Sequence, residues 1–199
     1  MPPQERPRMI GSLTGRLVVA TPVLEDPNFE RTVILVCSHD EAGAFGLVLN
    51  RPLGEPVAQH LPEWGPRAVE PPVFFAGGPV QRHIVMGIGR DRSLVDAGWW
   101  TRVTPDLGLI DLRFAPSNIG EREGVIEAAR LFVGYAGWGA GQLESEIAED
   151  AWWVVRAHTG DPFAPRPERL WSDVLLRQRG RRTGHLALYA NSPANARHN

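Results

Sequence analysis

The chain contains no lysine, because all 21 basic residues among its 199 are arginine. This absence excludes Schiff-base catalysis and any lysine general base. It also excludes the P-loop, whose lysine contacts the β- and γ-phosphates, and the Ser-x-x-Lys catalytic pair. Arginine still supplies charge and bidentate hydrogen bonds, so anion binding as such is not excluded.

Cysteine and long apolar runs are also scarce. Cys37 is the only cysteine in the sequence, which excludes an intramolecular disulfide and any multi-cysteine zinc or iron–sulfur site. No apolar run approaches the roughly 18 residues that a membrane span needs. The first residues lack the apolar core of a secretory signal. We therefore expect a cytoplasmic protein with no membrane contact.

The rest of the composition is that of an ordinary globular protein. Hydrophobic residues make up 43% and charged residues 22%, and the formal net charge is −2. This charge is too small to draw the protein to nucleic acid or to an anionic membrane. The length suits one domain. We expect that domain to span residues 11–190, between a flexible tail at 1–10 and a frayed tail at 191–199.

Short apolar runs separated by glycine and proline predict many strands and few helices. The predicted strands are residues 13–22, 32–37, 44–50, 73–78, 83–90, 108–114, 130–138, 152–157 and 185–190. The predicted helices are residues 57–60, 121–129, 142–150 and 168–180. Trp99 and Trp100 fall in a loop-rich stretch, as core residues or as a contact surface. This order of elements favours a single α+β or mixed α/β domain.

A glycine-rich turn, GYAGWGAG at residues 134–141, precedes the helix predicted at 142–150. Gln142 stands where a dinucleotide fingerprint needs its third glycine. Glu144 would lie at the third helical position and reach back to the Gly141 N–H. The pattern favours a structural corner over a phosphate site. Trp138 and Gln142 remain candidates for one wall of a ligand cleft.

Cys37 and His39 are the residues that come nearest to a nucleophile and its base. Two residues apart on a strand, their Cβ atoms would be about 7 Å apart, too far for direct proton transfer. A buried, inert cysteine is the favoured interpretation. The segment His39–Asp40–Glu41 lacks the spacing of a metal site. No metal or other cofactor is expected.

Two further segments suit a ligand. Pro52 holds Arg51 extended, and Asn50 and Arg51 together suit a ligand carboxylate or phosphate, or else a structural ion pair. Gly77 and Gly78 let the backbone approach a ligand or another strand closely. The predicted ligand-binding residues are His39, Asn50, Arg51, Gly77, Gly78, Trp138 and Gln142.

Four arginines end the helix predicted at 168–180: Arg177, Arg179, Arg181 and Arg182. No helix-turn-helix pattern accompanies them. A solvated helix end is therefore favoured over a weak electrostatic contact with nucleic acid.

Four ordered blocks carry a resemblance to a known family: residues 17–52, residues 73–80, residues 130–155, and LWSDVLL. Together they resemble the YqgE/AlgH family of bacterial proteins. The resemblance implies an α+β fold with a branched or barrel-like sheet flanked by helices. It implies no established reaction, although the family carries a transcriptional-regulator label.

The sequence thus favours a non-enzymatic cytoplasmic regulatory or binding protein, with a protein partner or a small molecule as ligand. One alternative is a ligand-binding or catalytic pocket shared by the first hairpin, the Gly77–Gly78 turn and the 137–142 turn. A second is weak DNA binding through the arginine cluster.

Overall fold

A computed structural model describes residues 11–90, 98–113, 126–178 and 184–190. Its strands are Arg16–Ala20 (β1), Val33–Asp40 (β2), Gly43–Val48 (β3), Pro52–Pro56 (β4), Val73–Ala76 (β5), Val80–Arg90 (β6), Trp100–Arg102 (β7), Leu107–Ile110 (β8), Ala128–Gly139 (β9) and Trp152–Arg156 (β10). Its α-helices are Val57–His60 (α1), Gln142–Ala148 (α2) and Leu170–Leu176 (α3). Short 3-10 helices lie at Pro62–Arg67, Asp161–Phe163, Pro167–Arg169 and Gly184–Tyr189.

The ten strands form one sheet in the order β10-β1-β2-β3-β9-β6-β8-β7, with β4 and β5 off this path. Every pairing is antiparallel except the one between β5 and β9. The long strand β9 pairs with β6, and it also pairs with β3 near its C-terminal end and with β5 near its middle. The sheet is therefore branched at β9, as the family resemblance implies, and the predicted α+β class is confirmed.

Gly77 lies in the fork between β3 and β9. Its N–H donates to the Val133 carbonyl of β9, and its carbonyl accepts from the Val48 N–H of β3, both at 2.9 Å. A Cβ at this position would meet the Gly134 carbonyl and the Phe132 side chain. Glycine is needed here because two backbones approach each other closely.

Apolar clusters cover both faces of the sheet. On one face, Leu17, Leu35, Phe75 and Phe132 pack under α3. The other face carries Val18, Ile34, Trp138 and Leu143, the last of them from α2. Strands such as β2 are apolar on both sides because both of their faces are covered.

One arginine is buried within this core. Arg130 is 2% exposed, and its guanidinium lies 4.3 Å from the Phe75 ring centroid. It donates to the carbonyls of Glu70 and Ala164 at 2.5 and 3.0 Å. Burial lowers the pKa of Arg130 to about 10. The side chain thus ties two connecting segments to the first half of β9.

Most predicted elements are present with shifted ends, but the helix predicted at 121–129 is wrong where the structure describes it. Residues 126 and 127 have no regular structure and β9 begins at Ala128. Ala128 to Phe132 are all buried. Pairing with β6 in the middle of a sheet overrides the helical propensity of this stretch.

The strand predicted at 185–190 is also wrong, since Gly184–Tyr189 is a 3-10 helix packed against α3. Leu186 and Ala190 are buried in the same core cluster as the apolar side chains of α3. Trp99 and Trp100 are core residues, 4% and 9% exposed, so the contact-surface alternative is wrong. Trp100 begins β7, which the sequence did not predict.

The predicted tails at 1–10 and 191–199 lie outside the described residues. Residues 179 and 180 of the helix predicted at 168–180 also lie outside them, and α3 is shorter than that prediction. Within the described part of the chain, none of the helices has both the length and the apolar character that crossing a bilayer would require.

Candidate functional site

His39 connects β2 to the N-terminal segment and to α2. The Leu13 N–H donates to Nδ1 at 3.0 Å, and Nε2 lies 2.8 Å from Glu144 Oε1. Because Nδ1 accepts, the proton of the neutral ring is on Nε2, which donates to Glu144. The Glu144 carboxylate is therefore bonded to β2, and the predicted return to the Gly141 N–H is wrong. Both nitrogens of His39 are engaged by the protein.

Glu146 organises the rest of this corner. Its Oε2 accepts from the indole N–H groups of Trp138 and Trp152 at 2.8 and 2.7 Å. Its Oε1 accepts from Gln142 Nε2 at 2.9 Å, while Gln142 Oε1 accepts from the Gly139 N–H at 3.0 Å. The glycine-rich turn is thus a structural corner, the interpretation that the sequence favours.

Asn50 fixes the approach to β2. Its Oδ1 accepts from the Val33 N–H at 3.0 Å, and its Nδ2 donates to the Arg31 carbonyl at 2.8 Å. Arg31 has a φ of 52°, an unusual value for a residue with a side chain. Asn50, which follows β3, therefore holds in place the strained turn that leads into β2.

A polar cavity of about 340 Å³ opens where β3 leads into β4 and β5 leads into β6. We call it the basic cleft and define it by Asn28, Arg51, Gly78 and Arg82. Asn50, Pro52, Leu53 and Pro79 also line it. Its volume lies within the usual range of small-ligand sites, about 300–1,000 Å³.

Neither guanidinium of the basic cleft is neutralised by the described residues. Arg51 donates to the Glu30 carbonyl at 2.6 Å, a backbone contact without formal charge. Neither Arg51 nor Arg82 lies within 4.0 Å of a carboxylate oxygen in the described part of the chain. Both residues are exposed. The cleft therefore presents two positive charges and their remaining N–H donors to solvent.

Gly78 contributes backbone alone to the lining of the cleft. Its φ of 152° is one that L side chains rarely adopt, and a Cβ there would clash with the backbone of Tyr135 and Ala136. The same turn that branches the sheet thus sets the shape of the cleft.

Of the seven predicted ligand-binding residues, the cleft gathers Asn50, Arg51 and Gly78. Trp138 instead lines a second cavity of about 600 Å³ beside β3 and β9. His39, Gln142 and Gly77 are engaged in the packing contacts described above. The structure thus distributes the seven among several places.

Asn28 and Arg82 are the residues of the cleft that the sequence reasoning missed. Arg82 lies three residues after Pro79, near the start of β6, and its position close to the Gly78–Pro79 turn was the available signal. Asn28 sits in a turn where its N–H and its side-chain amide both donate to Asp26 Oδ1. Nothing in its sequence context indicates a cleft 22 residues before Asn50.

Cys37 is buried among the residues of the core, as predicted. Burial raises the pKa of its thiol far above the usual value, so the reactive thiolate is suppressed. Among the described residues, no three His, Cys, Asp or Glu side chains are grouped so that they could hold a metal ion.

Arg177, the first of the four arginines proposed for nucleic acid, is bonded elsewhere. It pairs with both carboxylate oxygens of the buried Asp161, at 2.5 and 2.6 Å. Arg179, Arg181 and Arg182 lie outside the described residues. Their part of the prediction stays a prediction.

Comparisons with known proteins agree with this architecture. The profile of the AlgH-like family matches residues 17–183. A UPF0301 protein of Streptomyces coelicolor is 48% identical over 92% of this chain and 94% of its own. The crystal structure of a Corynebacterium diphtheriae protein superposes with a TM-score of 0.79 at 33% identity, over 96% of this chain and 94% of that one.

The solution structure of AlgH from Pseudomonas aeruginosa superposes with a TM-score of 0.61 at 29% identity, over 89% of this chain and 98% of that one. None of these descriptions states a reaction or a ligand. The family profile matches most of the chain, and the Streptomyces coelicolor relative is nearly half identical over almost its whole length. These two findings identify the family. The protein belongs to the AlgH-like (UPF0301) family.

Proposed function

We propose that the protein is a non-enzymatic binding protein whose basic cleft holds a small ligand through a carboxylate or phosphate group. One observation carries the proposal. Arg51 and Arg82 line the same cavity, and no described carboxylate lies within ion-pair distance of either. An anion is the group that two unneutralised guanidinium groups favour.

The chemistry of the cleft suits such a ligand. Each guanidinium presents several N–H donors in a plane, which match the oxygens of carboxylates and phosphates. Gly78 contributes only backbone to the lining of the cleft. Proline and leucine side chains beside the arginines supply apolar contact for the rest of the ligand.

The state of the reactive side chains favours binding over catalysis. Cys37 is buried as a thiol, and both nitrogens of His39 are bonded to protein groups. A nucleophile and base would need to reach each other and a substrate. The reduced, buried Cys37 also fits the cytoplasm, where we place the protein. Ligand binding there would serve a regulatory role.

Binding calorimetry with inorganic phosphate and with citrate, at fixed ionic strength, tests the proposal. We expect saturable binding of one or both anions. Arg51→Gln and Arg82→Gln should each weaken it about tenfold or more, since a charge-assisted hydrogen bond contributes about 1.5–3 kcal/mol.

Arg169→Gln is the matched control, because Arg169 is exposed and lies outside the cleft. The substitution removes the same charge as Arg51→Gln or Arg82→Gln. We expect it to leave affinity unchanged within about twofold, since exposed charges are largely screened. Equal weakening by all three substitutions would show that the anions respond only to net charge. That result, or no binding of either anion, would overturn the proposal.

A further inference from the structure

The second cavity, beside β3 and β9, differs from the basic cleft in its mostly apolar lining and in the sign of its charge. It lies where the turn between β2 and β3 meets the C-terminal part of β9, and we call it the aromatic groove. Ser38, Asp40, Phe45, Val80, Tyr135 and Gly137 define it. Its volume of about 600 Å³ is large enough for a small molecule. Val80 lines the groove, and Gly78 and Arg82 on either side of it in sequence line the cleft.

The register of the strands explains why the groove is open. Ser38 pairs with Phe45, which pairs with Gly137, and Asp40 pairs with Gly43, which pairs with Gly139. Directly paired residues project to the same face of a sheet. Gly43 and Gly137 line the groove and therefore leave part of its floor without side chains. A Cβ at Gly137 would meet the side chains of Tyr135 and Val80.

Two aromatic rings stand beside this floor. The rings of Phe45 and Tyr135 meet edge to face with centroids 6.0 Å apart. Both side chains are half-buried, and Met86 and Val80 continue the apolar wall. A flat ring laid over Gly137 would contact these side chains, in the offset or edge-to-face geometry that aromatic groups favour.

The polar groups of the groove are few and mostly available. The hydroxyls of Ser38 and Tyr135 make no hydrogen bond with the described residues. Asp40 Oδ1 accepts from the Ala42 N–H at 2.8 Å, which leaves Oδ2 open. Among the described residues that line the groove, Asp40 is the only charged one. An apolar cavity with a few convergent polar groups is the usual composition of a small-molecule site.

We propose that the aromatic groove is a second binding site, for a ligand that joins a planar aromatic ring to a protonated amine. The ring lies against Phe45 and Tyr135 over the bare backbone of Gly137. The ammonium group faces Asp40, which supplies the opposite charge. This site is independent of the anion-binding proposal, because it shares none of the residues that define the basic cleft.

Titration of the ¹⁵N-labelled full chain with tryptamine and with indole-3-acetate tests the proposal, because the two probes share a ring and differ in charge. We expect tryptamine to shift the amide signals of Gly43, Phe45 and Gly137 saturably. It should bind these residues at least about tenfold more tightly than the acid does, since only the amine complements Asp40. Signals of Gly78 and Arg82 report separately on the basic cleft.

Asp40→Asn should reduce the difference between the probes to within about twofold, while its amide oxygen still accepts from the Ala42 N–H. Glu41→Gln is the matched control, because Glu41 follows Asp40 directly but does not line the groove. The substitution removes the same charge. It should leave the difference unchanged within about twofold.

Gly137→Val should abolish binding of tryptamine by filling the floor of the groove. If this variant does not fold, Gly137→Ala applies the same test, since its Cβ would meet only the Tyr135 ring edge at 3.3 Å and side-chain atoms beyond it. Equal affinity of the two probes for the unmodified protein would overturn the proposal. So would equal effects of Asp40→Asn and Glu41→Gln, or tryptamine shifts away from the groove.

Discussion

At the scale of single residues, the polar side chains near α2 are already bonded to the protein. His39, Gln142 and Glu146 each connect two or more segments. Their residue types suggest chemistry, yet their hydrogen bonds are satisfied internally. Arg51 and Arg82 are the opposite case, because they present donors and charge without an anionic partner among the described residues.

Glu146 gives a direct test of the structural corner. Glu146→Ala leaves the indole N–H groups of Trp138 and Trp152 without an acceptor, and both side chains are buried. We expect a loss of about 2–4 kcal/mol in the free energy of unfolding, since each unsatisfied buried donor costs about 1–3 kcal/mol. Glu146→Gln keeps one acceptor oxygen and should lose about half as much.

Urea unfolding followed by circular dichroism measures these changes. Glu149→Ala is the control, because among the described residues that exposed carboxylate accepts a hydrogen bond only from Ser145 of α2. It should change stability by no more than about 0.5 kcal/mol. If Glu146→Ala matched this control, the carboxylate would not be the anchor of the two indoles.

Cys37 predicts how stability depends on alkaline pH. Burial raises the pKa of the folded thiol above that of the unfolded chain. The stabilisation that results from this difference in pKa is therefore fully present below about pH 8.5, the usual thiol pKa, and is lost as the pH rises above it. The unfolded chain then releases a proton that the folded protein retains. Each pH unit above this value lowers the free energy of unfolding by at most about 1.4 kcal/mol.

A comparison with Cys37→Ala isolates this effect. The stability difference between the unmodified protein and the variant should shrink by about 2 kcal/mol between pH 8 and pH 10. Unfolding in urea at each pH measures it. A constant difference over this range would mean that the folded thiol titrates like an exposed one.

At the scale of elements, the branch of the sheet depends on the Gly77–Gly78 turn. Gly78→Ala would place a Cβ against the backbone of Tyr135 and Ala136 at a φ of 152°. We expect a loss of at least about 3 kcal/mol, since both the clash and the conformation oppose the side chain.

Gly54→Ala separates these two causes. Gly54 has a φ of 80°, but a Cβ there would meet nothing within 4 Å. It should cost only about 1 kcal/mol, the conformational part alone. Chemical unfolding of both variants provides the measurement. Equal losses would show that the close approach at the fork of the sheet has no energetic role.

The sequence predicted elements well where periodicity and turn residues agreed. Apolar runs located strands such as β2 and β10, and the helix predicted at 142–150 contains α2. It failed at residues 126–129, where pairing with β6 overrides helical composition. It also missed β4 and β7, which are short strands with few apolar residues. Long-range pairing determines these cases, and no local pattern reports it.

At the scale of the whole molecule, two of the cavities among the described residues differ in the charge of their lining, and both are lined by residues between Gly78 and Arg82. The basic cleft offers Arg51 and Arg82, and the aromatic groove offers Asp40 and two rings. The net charge of −2 does not reveal that the positive and negative side chains lie at different cavities. Composition therefore describes the protein as nearly neutral, while two arginines line one cavity and an aspartate lines the other.

The same separation explains why the site was only partly predicted. Asn50, Arg51 and Gly78 were recognised from strand ends and glycine turns. Asn28 and Arg82 join them through the path of the chain between strands, which local sequence does not specify. The single cleft predicted from seven residues is instead divided between the basic cleft, the groove and internal packing.

The basic cleft is the central claim, and a titration of its own arginine side chains tests it most directly. Signals from the guanidinium Nε–H groups and the Gly78 amide of ¹⁵N-labelled protein would be followed as inorganic phosphate, then citrate, is added at constant ionic strength. We predict saturable shifts at Arg51, Arg82 and Gly78 with one or both anions, which the double substitution Arg51→Gln/Arg82→Gln removes. Shifts spread evenly over all exposed arginines, or none at these three residues, would contradict the account.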